Sequence, residues 1–331
     1  MIITSKAYPR AALVGNPSDG YFGKTIAFTF SNFSATAVLY ESPELVIEPG
    51  PRDGSTFSSV EDLERDVAKY GYYGGIRLIK AAIRRFGRYA REHGISLHDR
   101  NFTIRYSSDI PNLVGLAGSS AIITASMRAM MSFYGVTIPN AQLANIVRAV
   151  ENEELGIAAG LQDRVAQAYQ GLVYMDFDKK LLDSRGYGDY RPLPSDLMPP
   201  LYIAYRTDLS EGSEVFHNNI RDRFNAGDKA VVDAMRAWGE LTDKALAAMK
   251  ARDYAELARL TDENFDMRAK LYKLSDGNLR MVQAAREAGA SAKFSGSGGA
   301  IVGVCPDDET FARLQASLSK LGVVTLRPAL V

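Results

Sequence analysis

The amino-acid sequence predicts an α+β fold, on three observations. Short runs rich in β-branched and aromatic residues recur along the chain without alternating one-for-one with helical stretches. That pattern fits mixed helices and sheets rather than a doubly wound parallel sheet. Segments 60–93, 119–134 and 140–155 read as helices. The stretch 184–200 holds Gly186, Gly188, Pro192, Pro194, Pro199 and Pro200. It reads as a linker or crossover, dividing the chain into a first domain, 1–185, and a second, 200–331.

In chain order, strands are expected at 11–14, 25–30, 35–40 and 44–47, with Gly, Pro, Asn and Asp at the breaks. The helical spacing within 60–93 rests on Leu78, Ala81, Ala82, Ile83 and Phe86 among basic residues. A strand at 102–106 leads into a loop containing Pro111. Helices follow at 119–134, 140–155 and 161–169, then a strand at 172–177. Beyond the linker come a strand at 201–205 and long helices within 213–273 and 276–289. A strand at 299–305, a helix at 307–321 and a last strand near 323–327 close the chain. No internal repeat or low-complexity stretch interrupts this order.

Bulk properties narrow the function. Of 331 residues, 46% are hydrophobic and 24% charged, the balance of a globular protein with a real core. Lys and Arg number 39, as do Asp and Glu, so the formal net charge is zero. No broad field draws the chain to nucleic acid or to an acidic membrane. A small anion held by local cations is compatible with that balance. The single cysteine, Cys305, excludes an intrachain disulfide and a thiolate metal cluster. His93, His98 and His217 lack metal-ligand spacing. No apolar run reaches about 18 residues and the N-terminus has no long apolar region, so a cytoplasmic protein is expected.

The sharpest local signal is Gly115-Leu116-Ala117-Gly118-Ser119-Ser120-Ala121, directly before the apolar run 122–127. Glycines let backbone approach an anion, and the N–H groups of a helix start bind phosphate. Two serines there add hydroxyls for phosphate or magnesium. The same residues also fit an ordinary helix start capped by serine. A second Gly-rich turn, 293–300, contains Gly296, Gly298 and Gly299; it suits either an anion nest or a close backbone-to-backbone contact. Residues 20–25 imitate the end of a P-loop, but Ser18 stands where that motif needs glycine, and a strand follows instead of a helix. Glu151 and Asp163 are carboxylates near helix ends. Such groups can hold magnesium or receive a hydroxyl proton, and equally can be solvated helix-face residues.

Taken jointly and in order, these motifs resemble the galactokinase–homoserine kinase–mevalonate kinase–phosphomevalonate kinase (GHMP) superfamily along nearly the whole chain. Arg10, Gly15 and Asp19 match its first motif, and 111–121 its second, with Ala117 as an additional residue. Glu151, Gly156, Gly160 and Asp163 match its carboxylate pair, and 296–300 its third motif. The resemblance implies a two-domain kinase fold. A ribosomal-protein-S5-like half would be followed by a ferredoxin-like half, with the active site in the cleft between them. It further implies ATP and Mg2+ as cofactors. Gly115, Leu116, Ala117, Gly118, Ser119, Ser120, Ala121, Gly296 and Gly298 would cradle the phosphates. Ser120, in preference to Ser119, and Glu151 would hold the metal. Asp163 would be the base and Arg10 would lie near it, while Asp19 and Asn16 would contact a sugar.

Segments 13–25, 70–75 and 160–167 resemble the glucuronokinase branch, implying transfer of phosphate to carbon 1 of D-glucuronate. Asn16-Pro17-Ser18-Asp19 departs from the galactokinase pattern. A kinase of galacturonate, fucose or a heptose phosphate, a decarboxylase of the mevalonate branch, or a non-catalytic ligand sensor would share the fold. A uronate carboxylate calls for a cation, for which Arg164, Arg206, Lys24 and Arg77 are candidates. Tyr72 and Tyr73 suit a pocket wall or a packed turn.

Overall fold

The computed structural model describes residues 1–50, 53, 57–70, 74–209 and 220–331. Tyr72, Tyr73, His217 and the start of the expected helix at 213 lie outside the described residues. The chain divides into two compact units, each assembled from separated stretches. The first holds Met1–Pro9, Phe33–Asn112 and Ala117–Ala168; the second holds Arg10–Asn32, Leu113–Leu116 and Tyr169–Val331. This partition differs from a cut between 185 and 200, because strands near residues 10 and 25 pair with a strand near 172.

The first unit is built on a sheet of order β1-β4-β6-β5. Its strands are β1 (Ile2–Ala7), β4 (Ala35–Ser42), β6 (Asn101–Ser108) and β5 (Val46–Ile47). Only β5 joins in parallel. In β4, Ala35, Ala37 and Leu39 point inward. These short side chains let helix Gly118–Tyr134 pack closely on the sheet, through a face that includes Ala121, Ala125 and Ala129. Phe86, Phe102, Phe133 and Tyr134 close the far end in edge-on and stacked contacts. The expected helix 60–93 is two helices, Val60–Tyr70 and Ile76–Glu92. Strand β1 escaped the sequence reading. Its burial alternates along an exposed edge and its apolar content is thin.

The second unit contains two fully antiparallel sheets. One has order β2-β3-β7-β8, built from Arg10–Val14, Lys24–Thr29, Leu172–Asp176 and Asp189–Leu193. The other has order β10-β11-β9-β12, from Lys293–Phe294, Ala300–Val304, Leu201–Tyr205 and Val324–Leu326. The expected linker 184–200 is therefore corrected: it ends a helix, Lys179–Arg185, and then forms β8. Proline is tolerated there because β8 is an edge strand, and Pro192 pairs in register with Val173. Aspartates cap four helices. Asp178, Asp228, Asp253 and Asp307 each accept a backbone N–H of the first turn of Lys179–Arg185, Lys229–Ala251, Tyr254–Leu271 and Asp308–Ser319. The fully buried Trp238 packs with Tyr21, Ile220, Val231, Met235 and Tyr272.

Gly15 is a tight point of this unit with a left-handed backbone. Its φ is +94°, and a Cβ there would stand 2.1 Å from the Lys24 carbonyl and 2.4 Å from Thr242 Oγ1. Strain and overpacking each cost about 1–3 kcal/mol. G15A is expected to lose roughly 2–4 kcal/mol of stability, read as a lower urea midpoint at unchanged slope; an unchanged midpoint would show that the turn relaxes.

Candidate active site

In the first unit the chemistry gathers at the start of helix Gly118–Tyr134. The chain enters through left-handed conformations at Gly115 and Ala117, φ +69° and +62°. Ala117 is the N-cap and brings no side-chain acceptor, so the first-turn N–H groups face an anion site by default rather than a capping oxygen. The Ala117 carbonyl is pinned by donors from the Ala121 N–H (3.2 Å), Ser120 Oγ (3.2 Å) and Gln167 Nε2 (2.8 Å). That fixes the turn before any ligand arrives.

Glu151 is almost wholly buried, at 1% exposure. Ser119 Oγ donates to its Oε1 at 2.8 Å. Arg164 donates to Oε2 from Nε at 2.7 Å and from Nη2, and its Nη1 reaches the Gly160 carbonyl and lies 3.2 Å from Asp163 Oδ2. A buried carboxylate needs such a partner, because ionised groups taken from water cost several kcal/mol unless paired. The backbone assists. The expected helix 140–155 stays α-helical only over Asn140–Ala149, then widens into a π-helical turn, Val150–Glu154. The extra residue re-aims Glu151, as such turns do at functional sites. Arg84 and Arg85 hold the same turn from helix Ile76–Glu92 by pairing with Glu154 and Glu153.

Ser120 and Glu151, expected to share a metal, are not in hydrogen-bond contact: the Ser120 hydroxyl donates to the Ala117 carbonyl, and Ser119 is the serine beside the carboxylate. Successive residues on a helix are about 100° apart, so only one of two adjacent hydroxyls can face a given neighbour. Arg164, considered for a substrate carboxylate, is already engaged with Glu151 and Asp163. Lys24 and Arg206 are likewise paired, with Asp243 and Asp208.

In the second unit Arg10 lies buried on β2 and donates from Nη1 to the carbonyls of Ser295 (2.6 Å) and Gly115 (3.2 Å). The two Gly-rich segments meet backbone to backbone. A Cβ on Gly296 would be 2.5 Å from the Gly115 carbonyl oxygen, and one on Gly115 would be 3.1 Å from the Ser297 nitrogen. Gly296 thus braces the first turn. Arg268 closes the second turn by donating to the Gly296 (3.0 Å) and Ser297 (3.1 Å) carbonyls. The loop after β2 is held by Asn264, which accepts from the Gly15 N–H at 2.7 Å and donates to the Asn16 carbonyl at 3.0 Å. Asn16 Nδ2 lies 3.4 Å from the Phe294 carbonyl. Asp19 sits in the short turn Ser18–Tyr21 that follows.

Arg268, Asn264 and Lys293 were absent from the sequence reading as site residues. The only hint was a lysine inside the apolar approach to the second Gly-rich turn. Lys293 is fully buried and donates to the Ala12 and Phe294 carbonyls, each at 2.7 Å. Burial pushes its amine well below the ordinary value, and Arg268 and Arg10 push it further, against Asp19. The ordinary lysine pKa is about 10.4. Between the lowered value and that one, the unfolded chain binds the extra proton, so stability rises with pH and falls as the pH drops. The stability of wild type relative to K293M is expected to grow from pH 7 to pH 9.5 in denaturant titrations. Its slope should approach at most about 1.4 kcal/mol per pH unit. A flat difference would mean that the folded protein keeps this amine charged.

Among the described residues no helix is long and apolar enough to cross a membrane. The GHMP kinases N terminal domain matches residues 77–171 and the GHMP kinases C terminal domain matches residues 245–324. The chain is 40% identical to glucuronokinase 1 of Arabidopsis thaliana, over 98% of its own length and 91% of that protein's. Solved structures with the same fold include galactokinase of Lactococcus lactis complexed with galactose. Its TM-score is 0.76 at 14% identity, over 99% of this chain and 93% of that one. The mevalonate kinase of Methanococcus jannaschii has a TM-score of 0.72 at 18% identity, over 100% and 98%. With both family domains matched in order and a relative alike over almost the full length, the chain belongs to the GHMP kinases, the small-molecule kinases that use ATP as phosphate donor.

Proposed function

We propose that this kinase transfers the γ-phosphoryl group of ATP to the anomeric hydroxyl of D-glucuronate, giving glucuronate 1-phosphate and ADP. One observation carries the reading: the chain of contacts Ser119–Glu151–Arg164–Asp163 at the start of helix Gly118–Tyr134, in a protein alike end to end to a glucuronokinase. Phosphoryl transfer asks for positioning and charge stabilisation more than for covalent chemistry, and these groups offer both.

The donor set fits magnesium. Ser119 Oγ and Glu151 Oε1 are neighbouring oxygens, the ligand type Mg2+ prefers, and a kinase site supplies few protein ligands because phosphates and water complete the shell. Bound there, the metal would neutralise charge on the ATP phosphates. The backbone of 115–121 would hold those phosphates by N–H donors at the helix start. Asp163 would accept or orient the hydroxyl proton, its carboxylate held by Arg164. Arg10 would add fixed positive charge, and Asp19 and Asn16 would receive sugar hydroxyls. We also propose a cytoplasmic location.

Three measurements test this. A coupled ADP-release assay with ATP-Mg against D-glucuronate, D-galacturonate, D-galactose and mevalonate is expected to show selective turnover of glucuronate. Turnover of another sugar would overturn the substrate and keep the kinase. D163N should lower kcat by at least about 100-fold, the low end for a general base; turnover within a few-fold of wild type would remove Asp163 from the role. S119A should raise the magnesium concentration for half-maximal activity by about 10-fold and S120A by less, the size expected for one charge-assisted contact. The reverse order would return the metal to Ser120.

A further inference from the structure

Resting on the sugar-acid reading above, we propose that Arg221 binds the carboxylate of the substrate and so selects an acid sugar over its neutral counterpart. Arg221 lies in a helical run whose described part is 220–225, and neighbours in that run fasten it in place. Ile220 is buried in the Trp238 cluster, and the ring of Phe224 packs 5.0 Å from that of Tyr21 and 6.5 Å from that of Phe22. These anchors set the Arg221 guanidinium over the Tyr21 ring, 5.1 Å from its centroid. They also bring it to the backbone of the sugar-binding turn: a Cβ on Gly20 would lie 3.3 Å from Arg221 Nη2. Gly20 is the residue after Asp19.

Opposing charges act on this turn. Tyr21, which is buried, feels Arg221 and Arg268 on one side of the balance and Asp19 on the other. Lys293 feels Arg268 and Arg10, again against Asp19. Arg10 and Arg268 are buried and donate to main-chain carbonyls of the Gly-rich turns, so their fork is spent on the fold. Arg221 is exposed, and among the described residues it makes no ion pair and no hydrogen bond. A guanidinium matches a carboxylate in a two-bond fork, and it would do so beside the hydroxyl contacts of Asp19.

The test compares wild type, R221K and R221Q in steady-state kinetics with D-glucuronate and with D-glucose, alongside ATP titrations. For R221Q the KM for glucuronate is expected to rise about 10- to 100-fold, the loss of a charge-assisted pair. The KM for ATP should stay within about two-fold and the preference for glucuronate over glucose should collapse; R221K should fall between. An unchanged glucuronate KM overturns the proposal, as does a rise confined to ATP, which would assign Arg221 to the nucleotide phosphates. ATP affinity by calorimetry establishes that each variant is folded, and R221K keeps the test open where R221Q is not. If wild type turns over a different acid sugar, the glucuronate reading fails while the same comparison with that acid and its neutral partner still decides Arg221. If wild type accepts neutral sugars only, both fall.

Discussion

A buried carboxylate organises the first unit around the start of helix Gly118–Tyr134. Glu151 sits at 1% exposure, and a charge in that position is tolerable only when every lone pair facing the protein is occupied by a donor. Arg164 supplies the opposite charge and Ser119 supplies a neutral hydrogen bond. Once those two are set, much else is determined. The chain around residue 151 must depart from α-helical phase to aim the carboxylate. Helix Gln162–Tyr169 must start where Arg164 can reach back, and this places Asp163 beside the same guanidinium. The helix start at Gly118 is then registered through Ser119 and through Gln167, which donates to the Ala117 carbonyl. One charge pair thereby ties together Ser119, Asp163 and the turn that opens helix Gly118–Tyr134.

The second constraint is steric. The Gly-rich turns at 115 and 296 approach so closely that neither position admits a side chain without displacing the other backbone. Arg10 and Arg268 then donate to carbonyls of the two turns. Lys293 donates likewise to the Ala12 and Phe294 carbonyls, at the cost of burying an amine. The two guanidiniums used as main-chain staples bring charge inside.

What could be read from the sequence follows from the range of the interaction. Helical spacing, strands of β-branched residues and the ordered glycine motifs are local signals, and the corresponding elements are present. The spacing of Glu151 and Asp163 is also local enough to survive. Which of Ser119 and Ser120 faces Glu151 was not legible. It depends on the phase of one helix against a π-helical turn more than thirty residues away, and nothing in two adjacent serines encodes that. Strand β8 was misread as linker because Pro192 signals a break, and only the sheet order reveals that it lies at an edge where proline does no harm. Arg164 stood among the candidates for a substrate carboxylate because its partner Glu151 is thirteen residues away across a turn.

The same reasoning sorts the arginines by what they can still do. A guanidinium that waits for a substrate must stay hydrated while it waits, since burying it unpaired would cost several kcal/mol that binding would have to return. Arg10, Arg164 and Arg268 are buried and engaged with protein oxygens, so recruiting any of them to a ligand would unmake part of the fold. Arg206 is half-buried and spends its fork on Asp208, and Lys24 is drawn to Asp243. Arg221 alone among these combines hydration, a rigid foundation under its backbone and proximity to the turn that carries Asp19. On the proposed reading, selectivity for an acid group can therefore change at one exposed side chain without disturbing the buried pairs around Glu151, a division that lets a common kinase framework serve chemically different acceptors.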